Sequence, residues 1–192
     1  MGCRILDAVS MKYKVIDNFL FPEYFETIRG EILEGTNIWE YAGNVTRGDE
    51  YDFGKDSLFD FGFNHTILFE GGSSHLYPTL ESFYDAVLLE TSTQRIIRSR
   101  LDMVTYTPNK HKHIPHVDFF YPHIASVFYL TNTDAETVLY NERATNEEEF
   151  YASDLSNLTE MVRVKPKENR MLIFDGSYLH TGHSPSDCKR RV

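Results

Sequence analysis

The chain has 192 residues, 41% of them hydrophobic and 14% aromatic, with 14 Phe and 12 Tyr. That composition is enough for one sizeable core and excludes a disordered chain. With 19 Lys and Arg against 29 Asp and Glu the net charge is −10, so no overall electrostatic drive leads toward DNA, RNA or an anionic lipid surface.

Two cysteines, Cys3 and Cys188, are too few for a disulfide framework, and no CxxC offers a thiolate metal site. They read as free thiols in a reducing compartment. The N-terminal stretch Met1 to Asp7 lacks a basic segment followed by an apolar one, and no apolar run approaches the roughly 20 residues of a membrane helix. The expectation is a soluble cytoplasmic protein with one domain over residues 1–192 and no membrane partner.

In chain order, Tyr13 to Leu20 predicts a short strand and turn. Pro22 fits the first position of a helix, and Phe25, Ile28, Ile32 and Leu33 recur at helical spacing, so residues 22–34 predict an amphipathic helix. Residues 35–64 mix Gly and Asp with Tyr51, Phe53, Phe59, Phe61 and Phe63, and predict irregular chain with aromatic anchors. A second helix is predicted from Pro78 to Glu90, with Leu80, Phe83, Tyr84, Val87 and Leu88 as its core stripe.

Beyond residue 95 short β-branched and aromatic runs alternate with Asn, Asp, Pro and Gly turns: 100–106, 126–130, 137–140, 161–164 and 170–174. Helices followed by a series of strands predict an α+β protein with a mainly β core, of sandwich or jelly-roll type. A further strand begins at Arg190-Arg191-Val192, where the sequence stops, so the C-terminal strand is expected to be cut short.

Of 8 histidines, His65 and His75 lie without neighbouring ligand-type residues and read as structural. The others fall in two clusters, 111–123 and 180–183. His116 and Asp118 are two apart; on a strand both project from one face, into one cavity. His180, a short turn after the strand 170–174, is placed to supply a third ligand. Two imidazoles and one carboxylate on one face leave three octahedral positions open, the arrangement of non-haem Fe(II) oxygenases.

Four segments carry a resemblance. Tyr106-Thr107-Pro108 through Ile114-Pro115-His116-Val117-Asp118 is similar to a metal-binding strand and its approach. Ser126-Val127-Phe128-Tyr129-Leu130-Thr131-Asn132 through Glu136-Thr137 is similar to an S-x-x-x-YLN…GGET segment. Val164-Lys165-Pro166 through Asn169-Arg170…Phe174 resembles V-x-P-x-x-G-R-x-x-x-F, and Leu179-His180-Thr181-Gly182-His183-Ser184-Pro185 resembles LH-x-G-x-x-P. Together they resemble the prolyl-4-hydroxylase-like branch of the Fe(II)- and 2-oxoglutarate-dependent dioxygenases, and the opening Ile16 to Leu20 is similar to the usual start of that fold.

The resemblance implies a double-stranded β-helix, or jelly-roll, buttressed by the N-terminal helices. It implies Fe(II) held by His116, Asp118 and His180, 2-oxoglutarate and O2 as cosubstrates, ascorbate as an accompanying reductant, and hydroxylation of an unactivated C–H bond on a peptide or protein with release of succinate and CO2. A basic residue on the last strand would pair with the distal carboxylate of 2-oxoglutarate through a bidentate guanidinium. Arg191 and Arg190 both qualify; strand alternation lets only one face inward, and the resemblance, in which the Arg directly precedes the apolar strand residues, favours Arg191. Tyr106, Tyr129 and His113 are further candidates for the cosubstrate, each equally readable as a core or surface residue.

Three departures stand out: Asp134-Ala135 replace the paired glycines, Asn169 replaces a turn glycine, and His113 stands where a Tyr is usual. The competing reading is a non-catalytic jelly-roll binding domain with a vestigial metal site. The acidic residues Asp49, Glu50, Asp52, Asp56, Asp60 and Glu147 to Glu149 suggest a negative pocket mouth that would favour basic peptides, if residues 35–64 and 141–158 cover the pocket.

Overall fold

The computed structural model describes residues 11–46, 58–152 and 154–192. Eleven strands and three helices follow in the order β1 (Tyr13–Asp17), α1 (Pro22–Glu34), β2 (Glu40–Ala42), β3 (Gly62–Phe69), β4 (Gly72–Ser73), α2 (Tyr77–Thr91), β5 (Arg98–Thr105), β6 (Ile124–Tyr129), β7 (Thr137–Arg143), α3 (Glu147–Ala152), β8 (Glu160–Val164), β9 (Arg170–Asp175), β10 (Tyr178–Gly182) and β11 (Arg190–Arg191).

The strands form three sheets, ordered β1-β9-β6, β10-β7-β8 and β11-β5-β3-β2, with β4 paired to β3. All the pairings are antiparallel. The amide of Leu130, just past β6, donates to the carbonyl of Val192, just past β11, at 3.4 Å. The β11 strand therefore lies between β5 and the end of β6.

β9 explains how the layers hold together. Its run Met171-Leu172-Ile173-Phe174 is buried throughout. Leu172 and Phe174 pack with Tyr129, Leu139 and Val164, between β9-β6 and β7-β8. Met171 and Ile173 point the opposite way, against Val87 of α2 and the rings of Phe83 and Phe128. A strand covered on both faces reads as an unbroken apolar run rather than an alternation. Each such side chain contributes roughly 1.5–3 kcal/mol by leaving water.

α1 starts on Pro22 and α2 carries Pro78 in its first turn, where a missing amide proton costs nothing. Phe25, Ile28 and Ile32 of α1 meet Leu80 and Tyr84 of α2, with Ile67 of β3 beneath them. Tyr24 fastens the pair: its hydroxyl donates to the Thr79 carbonyl at 2.8 Å and accepts from the Phe83 amide at 3.0 Å.

Asn169 adopts a left-handed φ of 58° before β9, a conformation Asn tolerates. Its buried amide adds what glycine could not. Oδ1 accepts from the Leu20 amide and Nδ2 donates to the Leu20 carbonyl, both at 2.8 Å, fixing the approach to α1.

Two expectations are corrected. Residues 35–64 are not wholly irregular: β2 lies within them and β3 begins at Gly62, the latter paired on both sides by β2 and β5. His65 and Ile67 are buried while Thr66 is exposed, an alternation masked in the sequence by the Asp- and Gly-rich residues before it. The described residues of 141–158 contribute nothing to the wall of the large cavity. Phe150, Leu155 and Leu158 pack against Val138, Tyr140 and Leu179, on the face of the β10-β7-β8 sheet opposite Leu139 and Val164.

Candidate active site

The stretch 111–118 carries no continuous strand. It touches β10 and the residue just after it through two isolated bridges, His116 with His180 and Lys112 with His183. At the first bridge each amide donates to the other residue's carbonyl at 2.9 Å. This brings the two imidazoles together, with ring centroids 4.5 Å apart and planes tilted by 48°. Asp118 Oδ2 lies 3.7 Å from His180 Nε2. One donor atom from each of His116, Asp118 and His180 lies within 4.8 Å of the others.

The tautomers follow from the hydrogen bonds. His116 Nδ1 sits 3.1 Å from the Ile114 carbonyl and His180 Nδ1 sits 3.2 Å from the Tyr178 carbonyl. A carbonyl only accepts, so Nδ1 carries the proton on both rings and each Nε2 presents a lone pair. Burial, reinforced by the neighbouring His180, pushes the His116 pKa down to about 3, and burial also lowers that of His180. Both rings are neutral at pH 7, as metal ligation requires.

Burial opposes ionisation of Asp118, yet the surrounding positive groups outweigh it and hold the carboxyl well below its usual range. With both rings neutral, the permanent cations are Arg98 and Arg100. Arg98 Nη2 donates directly to Asp118 Oδ1, and its guanidinium lies 4.6 Å above the Phe119 ring. Sequence reasoning missed Arg98. The signal was present: Arg98, Arg100 and Asp102 recur every second residue on one strand, and so share a face.

The triad opens into a cavity of about 550 Å³ lined by residues of β5, β6, β10, both long helices and Val45-Thr46. Arg191, Tyr129 and His113 line the same cavity. Arg191 Nη2 donates to Thr137 Oγ1 at 2.8 Å, and Nη1 to the His183 carbonyl at 3.4 Å. Among the described residues no carboxylate lies within 4 Å of its guanidinium. Gly182 allows this approach, since a Cβ there would stand 2.7 Å from Arg191 Nη1. The buried Tyr129 hydroxyl faces this group without closing a hydrogen bond, and its ring lies 5.6 Å from the guanidinium carbon.

The other two candidates lie elsewhere. Arg190 projects to the opposite side of β11 and donates to the Leu33 carbonyl. Tyr106 is 53% exposed and its amide bonds the Lys189 carbonyl, away from the cavity wall. His113 turns Nε2 toward Ser184 Oγ, at 3.0 Å. His183 is buried, with Nδ1 donating to the Glu136 carbonyl.

The expected acidic mouth is not found among the described residues. The acidic first turn of α3, Glu147 to Glu149, contributes nothing to the cavity wall, and Asp60 pairs with His111. Asp49, Glu50, Asp52 and Asp56, like Cys3, lie outside the described residues. The charged lining is instead dominated by Arg95, Arg98, Arg100 and Arg191 against Asp102 and Asp118.

No protein-family model matches the sequence, and no curated protein matches it. The fold, by contrast, is that of known 2OG-Fe(II) oxygenases. A prolyl-4-hydroxylase from Pseudomonas putida superposes with a TM-score of 0.57 at 13% identity, over 96% of this chain and 90% of that one. A 2OG-Fe(II) oxygenase-family oxidoreductase from Burkholderia pseudomallei gives 0.57 at 11%, over 93% and 81%. The non-heme alpha-ketoglutarate-dependent epimerase SnoN of nogalamycin biosynthesis gives 0.59 at 9%, over 94% and 75%. No helix among the described residues is long and apolar enough to cross a membrane.

Proposed function

We propose that this chain, which shares the fold of the 2OG-Fe(II) oxygenases, is an Fe(II)- and 2-oxoglutarate-dependent dioxygenase built on a double-stranded β-helix. The observation that carries the reading is the pairing of two features in one cavity. One is the set of His116 Nε2, His180 Nε2 and the Asp118 carboxylate, all free to ligate. The other is the Arg191 guanidinium, which among the described residues has no carboxylate within 4 Å and bonds Thr137 instead.

The residues fit the groups. His116, Asp118 and His180 would hold Fe(II) and leave open positions for a keto acid and O2. Bound there, Fe(II) with 2-oxoglutarate and O2 supplies oxidation of an unactivated C–H bond, coupled to formation of succinate and CO2. The chain's own work is positional. Arg191, oriented by Thr137, pairs with the distal carboxylate of 2-oxoglutarate. Tyr129 supplies a ring and a hydroxyl beside it. Arg98 fixes the rotamer of Asp118 and takes up one of its oxygens, so that the other is directed at the metal.

A peptide or protein is the substrate class we favour, supported by the resemblance of segments 106–138 and 164–185 to the prolyl-4-hydroxylase-like branch. The test is succinate formation from 2-oxoglutarate with Fe(II) and ascorbate, against peptide and small-molecule panels. Substrate-stimulated succinate that disappears in His116→Ala, Asp118→Ala and His180→Ala supports the reading. Wild-type turnover in any of the three removes that residue from the metal shell, and stoichiometric absence of iron binding supports the non-catalytic domain instead.

A further inference from the structure

A second group of metal-ligating side chains comes together among the described residues, away from the triad: Asp60, just before β3, with His111 and His113. One donor atom from each lies within 4.8 Å of the others. His111 Nε2 donates to Asp60 Oδ1 at 2.7 Å, and His113 Nδ1 lies 3.9 Å from the same oxygen.

The group differs from an ordinary salt bridge in His113. This residue is 2% exposed, and its Nδ1 is buried without a hydrogen-bond partner. Nε2 lies 3.0 Å from Ser184 Oγ, a hydroxyl able to accept from it, and in the tautomer that donates there Nδ1 is a lone pair on the Asp60 side of the ring. A buried ring nitrogen without a partner is costly, and a ligand that engages it removes that cost. The distance from Nδ1 to Asp60 is too long for a hydrogen bond and suits a shared ion between them.

We propose that Asp60, His111 and His113 form a second metal site, for a tetrahedral divalent ion of the Zn2+ type, distinct from the His116–Asp118–His180 set. Two imidazoles and a carboxylate are a borderline-soft N2O donor set. Bonds of about 2.0–2.2 Å to each are reached by a small closure of the three side chains, with water at the fourth corner. The supporting contacts are in place: Ser184 orients the His113 ring, the Gly182 carbonyl accepts from the His113 amide, and Thr107 Oγ1 accepts from the His111 amide. Burial, with His111 close by, lowers the His113 pKa to about 4, so its ring is neutral.

Binding displaces the proton that His111 Nε2 now donates to Asp60 and releases it to solvent. Asp60 and His111 are not part of the wall of the large cavity, whereas His113 is. The ion therefore acts as a clip, joining the chain just before β3 to the stretch that carries His116 and Asp118.

The test is titration of the metal-free full chain with Co2+, whose tetrahedral complexes absorb visible light far more strongly than octahedral ones. The proposal expects an intense tetrahedral band in the wild type, lost in His111→Gln and in Asp60→Asn, and retained in the His116→Ala/His180→Ala double variant. His111 is half-buried, so its replacement disturbs the core least. Absence of an intense band in the wild type overturns the proposal whatever the variants do, and so does a band that His111→Gln leaves in place or that the double variant loses. Should the triad bind no metal, the intense band and its loss in His111→Gln remain, which separates failure of the functional reading from failure of this one.

Discussion

His116 and His180 grip each other through two reciprocal backbone hydrogen bonds of 2.9 Å. The side chains are thereby set at fixed spacing before any ion arrives, and each Nδ1 is committed to a carbonyl of its own segment. Preorganisation of this kind lets the ligands bind without first being ordered.

Arg98 is expected to act as a positioning residue through Asp118. Arg98→Met keeps most of the stem over Phe119 but removes the donor to Oδ1. Affinity for Fe2+ or Co2+ should fall about 10- to 100-fold, measured by competitive titration, with the unfolding midpoint nearly unchanged. Unaltered metal affinity would show that Asp118 needs no such partner.

Gly182→Ala tests the anion pocket without touching a charge. The new methyl would stand 2.7 Å from Arg191 Nη1, so the guanidinium must move. Affinity for 2-oxoglutarate should drop roughly tenfold, equivalent to about 1.4 kcal/mol, while metal affinity holds. Arg191→Ala should lose more. If Arg190→Ala, which alters a residue bonded to Leu33, weakens 2-oxoglutarate binding instead, the assignment fails.

How far the sequence foretold this geometry differs from residue to residue. The helix at 22–34 was legible to its ends because Pro22 and the Phe25–Ile28–Ile32 spacing need no tertiary information. β9 was legible because a strand buried on both faces is apolar throughout. β3 was not: its alternation is short, and partnership with β2 and β5 rather than propensity stabilises it. Pairing of His116 and Asp118 with His180 could be suspected from order and spacing. The resemblance favoured Arg191 over Arg190, but the residues alone could not choose, because the choice depends on the register of β11 against Thr105 and Val104. The Asp60–His111–His113 group was invisible for a similar reason, since Asp60 reaches the histidines only through the path of the chain before β3.

Asn169 gives a stability prediction. Asn169→Ala loses two buried hydrogen bonds to Leu20 and must hold a left-handed φ, and should destabilise by about 3 kcal/mol. Asn169→Gly relieves the backbone strain alone and should fall between wild type and Asn169→Ala. Thermal unfolding ranks the three; equal midpoints for the two variants would remove the conformational part of the argument.

The pair Asp17–Arg170, at the end of the β1–β9 ladder, predicts an acid response. Hydrogen bonds from Arg170 and Lys167 lower the Asp17 pKa from 3.8 to about 2. A depressed folded-state pKa contributes stability above the unfolded value, and that contribution is lost as pH falls from near 4 toward 2. Because the side chain is 39% exposed, screening holds it to at most about 1 kcal/mol. Asp17→Asn should flatten the stability–pH curve in that window and leave it parallel to wild type above pH 5, as followed by urea unfolding. A curve for Asp17→Asn that still steepens like wild type below pH 4 would contradict the assignment.

The central claim is that one cavity holds Fe(II) on His116, Asp118 and His180 while Arg191 receives the far carboxylate of 2-oxoglutarate. Anaerobic addition of 2-oxoglutarate to the Fe(II)-loaded protein tests it directly, through the visible charge-transfer absorption of a keto acid chelated to Fe(II). The account predicts that the band forms in the wild type, needs markedly more 2-oxoglutarate in Arg191→Ala, and never forms in His180→Ala. A wild-type protein that shows no such band at saturating Fe(II) and 2-oxoglutarate would contradict it.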